Sequence, residues 1–350
     1  MKRAIPRTNT RMLVGLLGAV VALALIPIAS GTIHAKKASL TTVSFMDDFT
    51  TNGTDAGYIV GEEPNGYYNK QGISLNYSPG TGSPATAQAV ATGQVQFGEI
   101  TTSALVTAVA AGEPIKAVAM IEGQDGFGVV TVPSITTPAG MSGKTITTGN
   151  SLLVPIFQAY LKDKGVTGVN LVTVAPSALD TSVTSGSADG CLCVAYSDRL
   201  RINATVSGGK TNFFPFSADN LGFTGNVVIV NNSTIASNPD LVKRFIKATM
   251  QAWNFAYDNP NLAAGDLQGL IANQSPLATA QTNVATLKAM KKVRFTKSQA
   301  GHPPGWMSVL DWAAAIKQMK LEGVLTVAAP SAASLFTNQF IPPLPVRKKK

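Results

Sequence analysis

The sequence predicts an α/β protein of two lobes, each a mostly parallel sheet flanked by helices. Short runs rich in β-branched residues alternate with runs rich in Ala, Val and Leu, the pattern of chains that wind strand and helix in turn. The boundaries carry capping chemistry, with hydroxyl residues and Pro opening helices and Gly closing them. After the loop Thr136-Thr137-Pro138-Ala139-Gly140 the alternation starts again, which marks a second set of elements.

In the first set Thr41 to Met46, Ile73 to Ser78, Val95 to Ile100 and Ile115 to Ile121 read as strands. Ser83-Pro84 opens a helix, with Ser as N-cap and Pro in the first turn, and Gly93 closes it; Thr102-Ser103 opens the next and Gly112 closes that. The second set reads strand Lys144 to Thr148, helix Ser151 to Lys164, strand Val169 to Val174, helix Leu179 to Ser185 and strand Asp189 to Ala195. Val227 to Val230 looks like a strand returning to the first lobe. Asn238 then caps a helix whose first residue is Pro239, and Leu241, Phe245, Thr249, Ala252 and Phe255 recur at helical spacing as its buried stripe. Ser308 to Glu322, ended by Gly323, is another helix. The expected division is 36–127 with 227–340 as the first lobe and 128–226 as the second, hinged near Gly126 to Pro133 and near Leu221 to Val227.

With 350 residues, 45% hydrophobic and 13% charged, the chain can bury one large or two ordinary cores. Its formal charge of +9 sits at the ends. Lys2, Arg3, Arg7, Arg11, Lys36 and Lys37 flank an apolar run, and Arg347 to Lys350 form a basic tail over 341–350. Without those ten, 18 cations face 19 Asp+Glu, so the body is close to neutral and lacks the basic face that nucleic acids require. The uncharged run Met12 to Ile28, followed by Pro27 and small residues at Ala29-Ser30-Gly31, reads as an export signal over 1–35. An uncleaved anchor is the alternative, since Met12 to Ile33 is long enough to span a bilayer. Either reading puts the body outside the cytoplasm, at the periplasm or cell surface. The tail reads as a solvated end, with electrostatic retention at an anionic membrane as a second possibility.

Cys191 and Cys193 are the only cysteines. Strand alternation puts both on one face, where a disulfide between them would be strained, so they read as two small buried hydrophobes. His302 is the only histidine of the body. Metal binding, Ser-His and Cys-His catalysis are therefore poorly supplied, and neither a cofactor nor a catalytic residue is expected.

In open parallel sheets the ligand lies beyond the carboxyl ends of the strands, where loops lead into helix N-termini. That selects Asp47 to Asp55, Gly80 to Ser83, Thr101 to Ser103 and Glu122 to Asp125 from the first lobe. From the second it selects Asn150-Ser151, Pro176-Ser177 and Tyr196 to Asp198. The candidate ligand contacts are Asp48, Phe49, Asn52, Asp55, Tyr58, Gly82, Ser83, Thr101, Thr102, Ser103, Glu122, Asp125, Asn150, Ser151, Ser177 and Tyr196. Small hydroxyls and backbone N–H groups facing each other across a cleft suit a receptor that closes on a small polar molecule better than an enzyme.

Several segments, in order, resemble a known family: Gly57-Tyr58-Ile59-Val60, Gly66-Tyr67-Tyr68-Asn69-Lys70-Gln71-Gly72-Ile73, Gln88-Ala89-Val90-Ala91-Thr92-Gly93, Gly112-Glu113-Pro114-Ile115, Ser185-Gly186-Ser187-Ala188-Asp189-Gly190 and Asn238-Pro239-Asp240-Leu241. Nearly the whole body is similar to the substrate-binding proteins of ABC importers that serve nitrate, sulfonates, taurine and thiamine-pyrimidine precursors. The resemblance implies a type II periplasmic-binding-protein fold: two lobes and two crossovers, acting as a monomer that captures a small-molecule ligand for an ABC permease in the membrane.

Members that take pyrimidine precursors usually carry a Trp and then a His in the first loop, where this chain has Asp48 and Asp55. A carboxylate there would pair with a cationic or polyhydroxylated ligand, with Phe49 or Tyr58 as an apolar or cation–π wall. The competing reading is a sulfonate- or nitrate-type anion held at the helix N-termini of Ser83, Thr102, Ser103 and Ser151, where no Arg or Lys lies. The rival class is an enzyme of the related pyrimidine-synthesis type using Cys191 and Cys193.

Overall fold

The computed structural model describes residues 39–62, 66–124, 126–219, 225–271 and 277–344. The export segment, Asp125, part of the second expected hinge and the basic end of the tail lie outside the described residues. Among the described residues no helix is long and apolar enough to cross a membrane.

Strands β1 (Thr41–Met46), β2 (Ile73–Ser78), β3 (Phe97–Thr101) and β4 (Ile115–Met120) are followed by β5 (Phe127–Thr131), β6 (Thr145–Thr148), β7 (Asn170–Thr173), β8 (Gly190–Val194), β9 (Asn212–Pro215) and β10 (Asn226–Asn231). They form two five-stranded sheets, ordered β2-β1-β3-β10-β4 and β7-β6-β8-β5-β9. In the first, β10 runs antiparallel between β3 and β4; in the second, β5 runs antiparallel between β8 and β9. The remaining strands of each sheet are parallel, as the alternation of strand and helix predicts. Val227 to Val230 and all five residues of β3 are buried, because helices cover both faces of a sheet wound this way.

The chain leaves the first sheet after Met120, enters the second at Phe127, and returns between Pro215 and Asn226. The first crossing therefore ends at Gly126, the first residue of the segment expected as a hinge. Phe127–Thr131 is a strand paired on both sides, and its Val129 and Val130 are fully buried.

The helices are α1 (Ala56–Glu62), α2 (Tyr67–Lys70), α3 (Ser83–Ala91), α4 (Thr102–Ala110), α5 (Leu153–Asp163), α6 (Leu179–Thr184), α7 (Asp198–Asn203), α8 (Asn232–Ser237), α9 (Pro239–Asp258), α10 (Pro260–Ile271), α11 (Ala280–Val293) and α12 (Val309–Leu321). Asn238 caps α9 by accepting from Leu241 N–H, as its sequence implies. Two other caps fall one residue earlier than the sequence suggests: Gly82, at φ 134°, precedes α3, and Thr101 caps α4 by accepting from Ala104 N–H. Gly82 stands where a left-handed backbone is needed, which frees the Ser83 hydroxyl for other partners.

In the first lobe Phe97 stacks on Phe245 at 4.0 Å and Trp253 meets Tyr58 edge-on at 5.5 Å. The glycines of α1 allow this packing. A Cβ on Gly57 would lie 2.2 Å from the Trp253 ring, and one on Gly61 2.4 Å from Tyr68. Gly57→Ala is therefore expected to destabilise by about 1–3 kcal/mol or more, since two rigid elements must separate to admit the methyl group. Urea unfolding checks it, and wild-type stability in that variant would contradict the close α1–α9 contact.

Cys191 and Cys193 correct the sequence reading. Their sulfurs are joined as a disulfide, with Cα atoms 5.4 Å apart, a separation within the range such bonds span. Both are buried against Val130, Leu179, Val183 and Ile202.

Candidate functional site

A cleft lies between the two sheets. Its lining comes from the carboxyl ends of strands in both. The turn after β1 supplies Asp48, Phe49, Asn52 and Thr54; the end of β3 supplies Thr101, and Glu122 follows β4. Asn226, at the start of β10, stands beside Thr101 on the same side, and across from them are Phe127, Gly149, Asn150, Leu153, Leu179, Leu192, Val194, Tyr196, Ser197 and Asp198. Of the residues chosen from sequence, the structure brings Asp48, Phe49, Asn52, Thr101, Glu122, Asn150 and Tyr196 to this lining. Asp55, Tyr58, Gly82, Ser83, Thr102, Ser103, Ser151 and Ser177 stand off it, and Asp125 lies outside the described residues.

The displaced residues have other work. Asp55 Oδ2 accepts from Asn52 N–H at 2.8 Å while Asn52 Oδ1 accepts from Thr54 N–H, a reciprocal cap on the short helix Gly53–Asp55. The Tyr58 hydroxyl donates to Glu99 from within the core. Ser83 Oγ accepts from Thr101 N–H at 3.1 Å and donates to Asp48 Oδ2 at 2.5 Å, so it orients a lining carboxylate.

Hydrogen bonds cross the cleft between described residues. Ser197 Oγ donates to Asn52 Oδ1 at 2.9 Å, and the Tyr196 hydroxyl donates to Glu122. Ser197 is held in turn by Arg201, whose guanidinium donates to it at 2.6 Å and pairs with Asp180 at 2.5 Å and with Asp198. Phe49 rests against Gly149, where a Cβ would come within 3.3 Å of its ring.

Carboxylates dominate the first-lobe wall. Burial pushes Asp48 up to about 6, with the Ser83 hydrogen bond acting against it. Asp55 is pushed up to about 7, again by burial, against the hydrogen bonds from Asp47 and Asn52. Asp47 lies well above the usual range through burial and the neighbouring Asp55, and its buried Oδ1 has no hydrogen-bond partner. Glu99, raised by burial and by Asp47, accepts from Asn226 Nδ2 at 3.0 Å. A glutamate inside a strand buried on both faces is a signal that sequence reading passed over, since a carboxyl is rarely buried without a specific partner.

Alternation on β8 sends Leu192 and Val194 to the cleft. Cys191 and Cys193 point to the other face, into the core. His302, stacked on Trp306 at 3.6 Å, is exposed and away from the lining. Among the described residues no group of three or more His, Cys, Asp or Glu is arranged to hold a metal ion.

Solved structures share this architecture. The alkanesulfonate-binding protein SsuA from Xanthomonas axonopodis pv. citri, bound to MOPS, superposes with a TM-score of 0.64 at 12% identity over 86% of this chain and 99% of its own. The periplasmic nitrate-binding protein NrtA from Synechocystis PCC 6803 gives 0.61 at 12% identity, covering 85% of each chain. The ligand-binding component of an ABC-type import system from Staphylococcus aureus gives 0.63 at 9% identity over 86% of this chain and 97% of its own. At these identities the likeness establishes the two-lobed periplasmic-binding-protein fold. No curated protein matches the chain by sequence. The profile of the NMT1/THI5-like family matches residues 52–263, and with the strand order and the interlobe cleft now in view, the chain belongs to that family.

Proposed function

We propose that the protein is the extracytoplasmic solute-binding receptor of an ABC importer, closing its lobes on a small polar organic molecule and delivering it to a membrane permease. The observation that carries this reading is the cleft itself, lined from both sheets and spanned by hydrogen bonds from Ser197 to Asn52 and Tyr196 to Glu122. Opening about the two crossings breaks those bonds and admits a solute; closing around it buries the solute between strand ends. The family and the folds of known import receptors support the same reading. It also fits the basic, then apolar, start of the chain as an export signal. An enzyme using Cys191 and Cys193 is disfavoured, because both face away from the cleft.

A thermal-shift screen of the purified protein over sulfonates, nitrate, amines, polyols, pyrimidines and amino acids tests the proposal. A saturating solute is expected to stabilise by about 2.7 kcal/mol at a hundred times its Kd. No rise in melting temperature with any class would reject a receptor role.

A further inference from the structure

The receptor reading leaves open the charge of the solute, and the cleft constrains it. Among the described residues the charged side chains of the lining are Asp48, Glu122 and Asp198, with no Lys, Arg or His. Asp198 is neutralised by Arg201, while Asp48 and Glu122, which accept from the Ser83 and Tyr196 hydroxyls, line the space between the lobes. The amide nitrogens of two neutral lining residues are turned to the protein, that of Asn226 donating to Glu99 and that of Asn52 to Thr50 O.

One of the helix ends where an anion would be held already faces a carboxylate. The N-terminus of α3 is a helix end of the kind that binds anions, and the group it meets is the protein's own Asp48, through Ser83 Oγ. An anionic solute at that place would confront a carboxylate. Behind the wall stand more carboxylates: the charges acting most strongly on Glu99 are Asp47, Glu122 and Asp48, and Asp47 Oδ1 is buried without a partner. Closing the lobes removes water from this set, so each carboxyl must either keep a proton or meet a positive charge, and a cationic solute supplies that charge at Asp48 and Glu122. A metal ion does not suit the geometry, since among the described residues no metal-binding group of three ligands exists. An organic ion does, because Phe49, Phe127, Leu153 and Leu192 form apolar and aromatic walls on which a cation with carbon substituents packs.

From these contacts we infer that the solute is an organic cation bearing N–H donors, held by Asp48 and Glu122 against the rings of Phe49 and Phe127. The inference rests on the receptor reading and fails separately from it. Calorimetric titration and thermal shift with agmatine, methylguanidine and ethanolamine are compared with methanesulfonate, nitrate and erythritol at the same ionic strength. Cations alone are expected to bind, and Asp48→Asn and Glu122→Gln each to weaken them about tenfold or more. Binding of the anions or the polyol alone overturns the cation assignment and leaves the receptor intact, whereas binding of no solute in this panel or the wider one removes both. If one variant does not fold, as judged by its melting curve, the other is read, and unchanged cation affinity in it overturns the assignment.

Discussion

Arg201→Met is expected to lose about 3–5 kcal/mol of folding stability, the largest effect of any single side chain outside the aromatic core. Arg201 is nearly fully buried, and its two partners expose only 9% and 10% of their side chains. Burial alone would lower its affinity for a proton, but Asp180 and Asp198 outweigh that and keep the guanidinium charged. The methionine replaces the volume and leaves two carboxylates facing each other without water. Urea unfolding measures the loss. Adding Asp180→Asn and Asp198→Asn to Arg201→Met should recover part of it, because the penalty lies in the charges left behind rather than in missing volume. A loss below about 1 kcal/mol would mean the triad is solvated, contrary to its burial. The same variant removes the guanidinium that holds Ser197 against Asn52, so it is also expected to weaken lobe closure.

The ligand-free protein is expected to melt on the order of 5–10 °C higher at pH 5 than at pH 8. Asp47, Asp48, Asp55 and Glu99 hold protons in the fold to higher pH than carboxyls in an unfolded chain, through burial first, with repulsion from neighbouring carboxylates adding for Asp47, Asp55 and Glu99. Between the unfolded value of 3.8 and the folded values of about 6 for Asp48 and about 7 for Asp55, the native state therefore binds more protons than the unfolded state. Stability falls as pH rises through that window and levels off above it. Calorimetric scans at constant ionic strength check the sign. A melting temperature that climbs steadily from pH 5 to pH 8 would show that these carboxyls are not desolvated together, and Asp48→Asn with Asp55→Asn should flatten the slope.

The order of strands and helices and the capping of α9 were legible because each depends on residues within a few positions of one another. Thr41–Met46 and Ile73–Ser78 carry their own β-branched and alternating signature, and Asn238-Pro239 its own helix start. The resemblance placed the fold. It did not place the cleft wall residue by residue. Asp48 and Asp55 look equivalent in the sequence, two acidic residues in one loop, yet one lines the cleft and the other caps a turn behind it. Phe127–Thr131 reads as a linker until its pairing with β8 and β9 is known. Glu99 lies within a strand legible in the sequence, but its setting follows only from Asn226 and Tyr58, brought to it from other elements.

The sequence by itself determined an α/β chain with a nearly neutral body, two sets of strands and helices, and hydroxyl- and carboxylate-bearing loops after the strands. Only the tertiary structure decided which of those side chains share one wall. That choice is made by contacts such as Ser197 to Asn52, 145 residues apart, and neither local propensity nor periodicity carries information over such a separation.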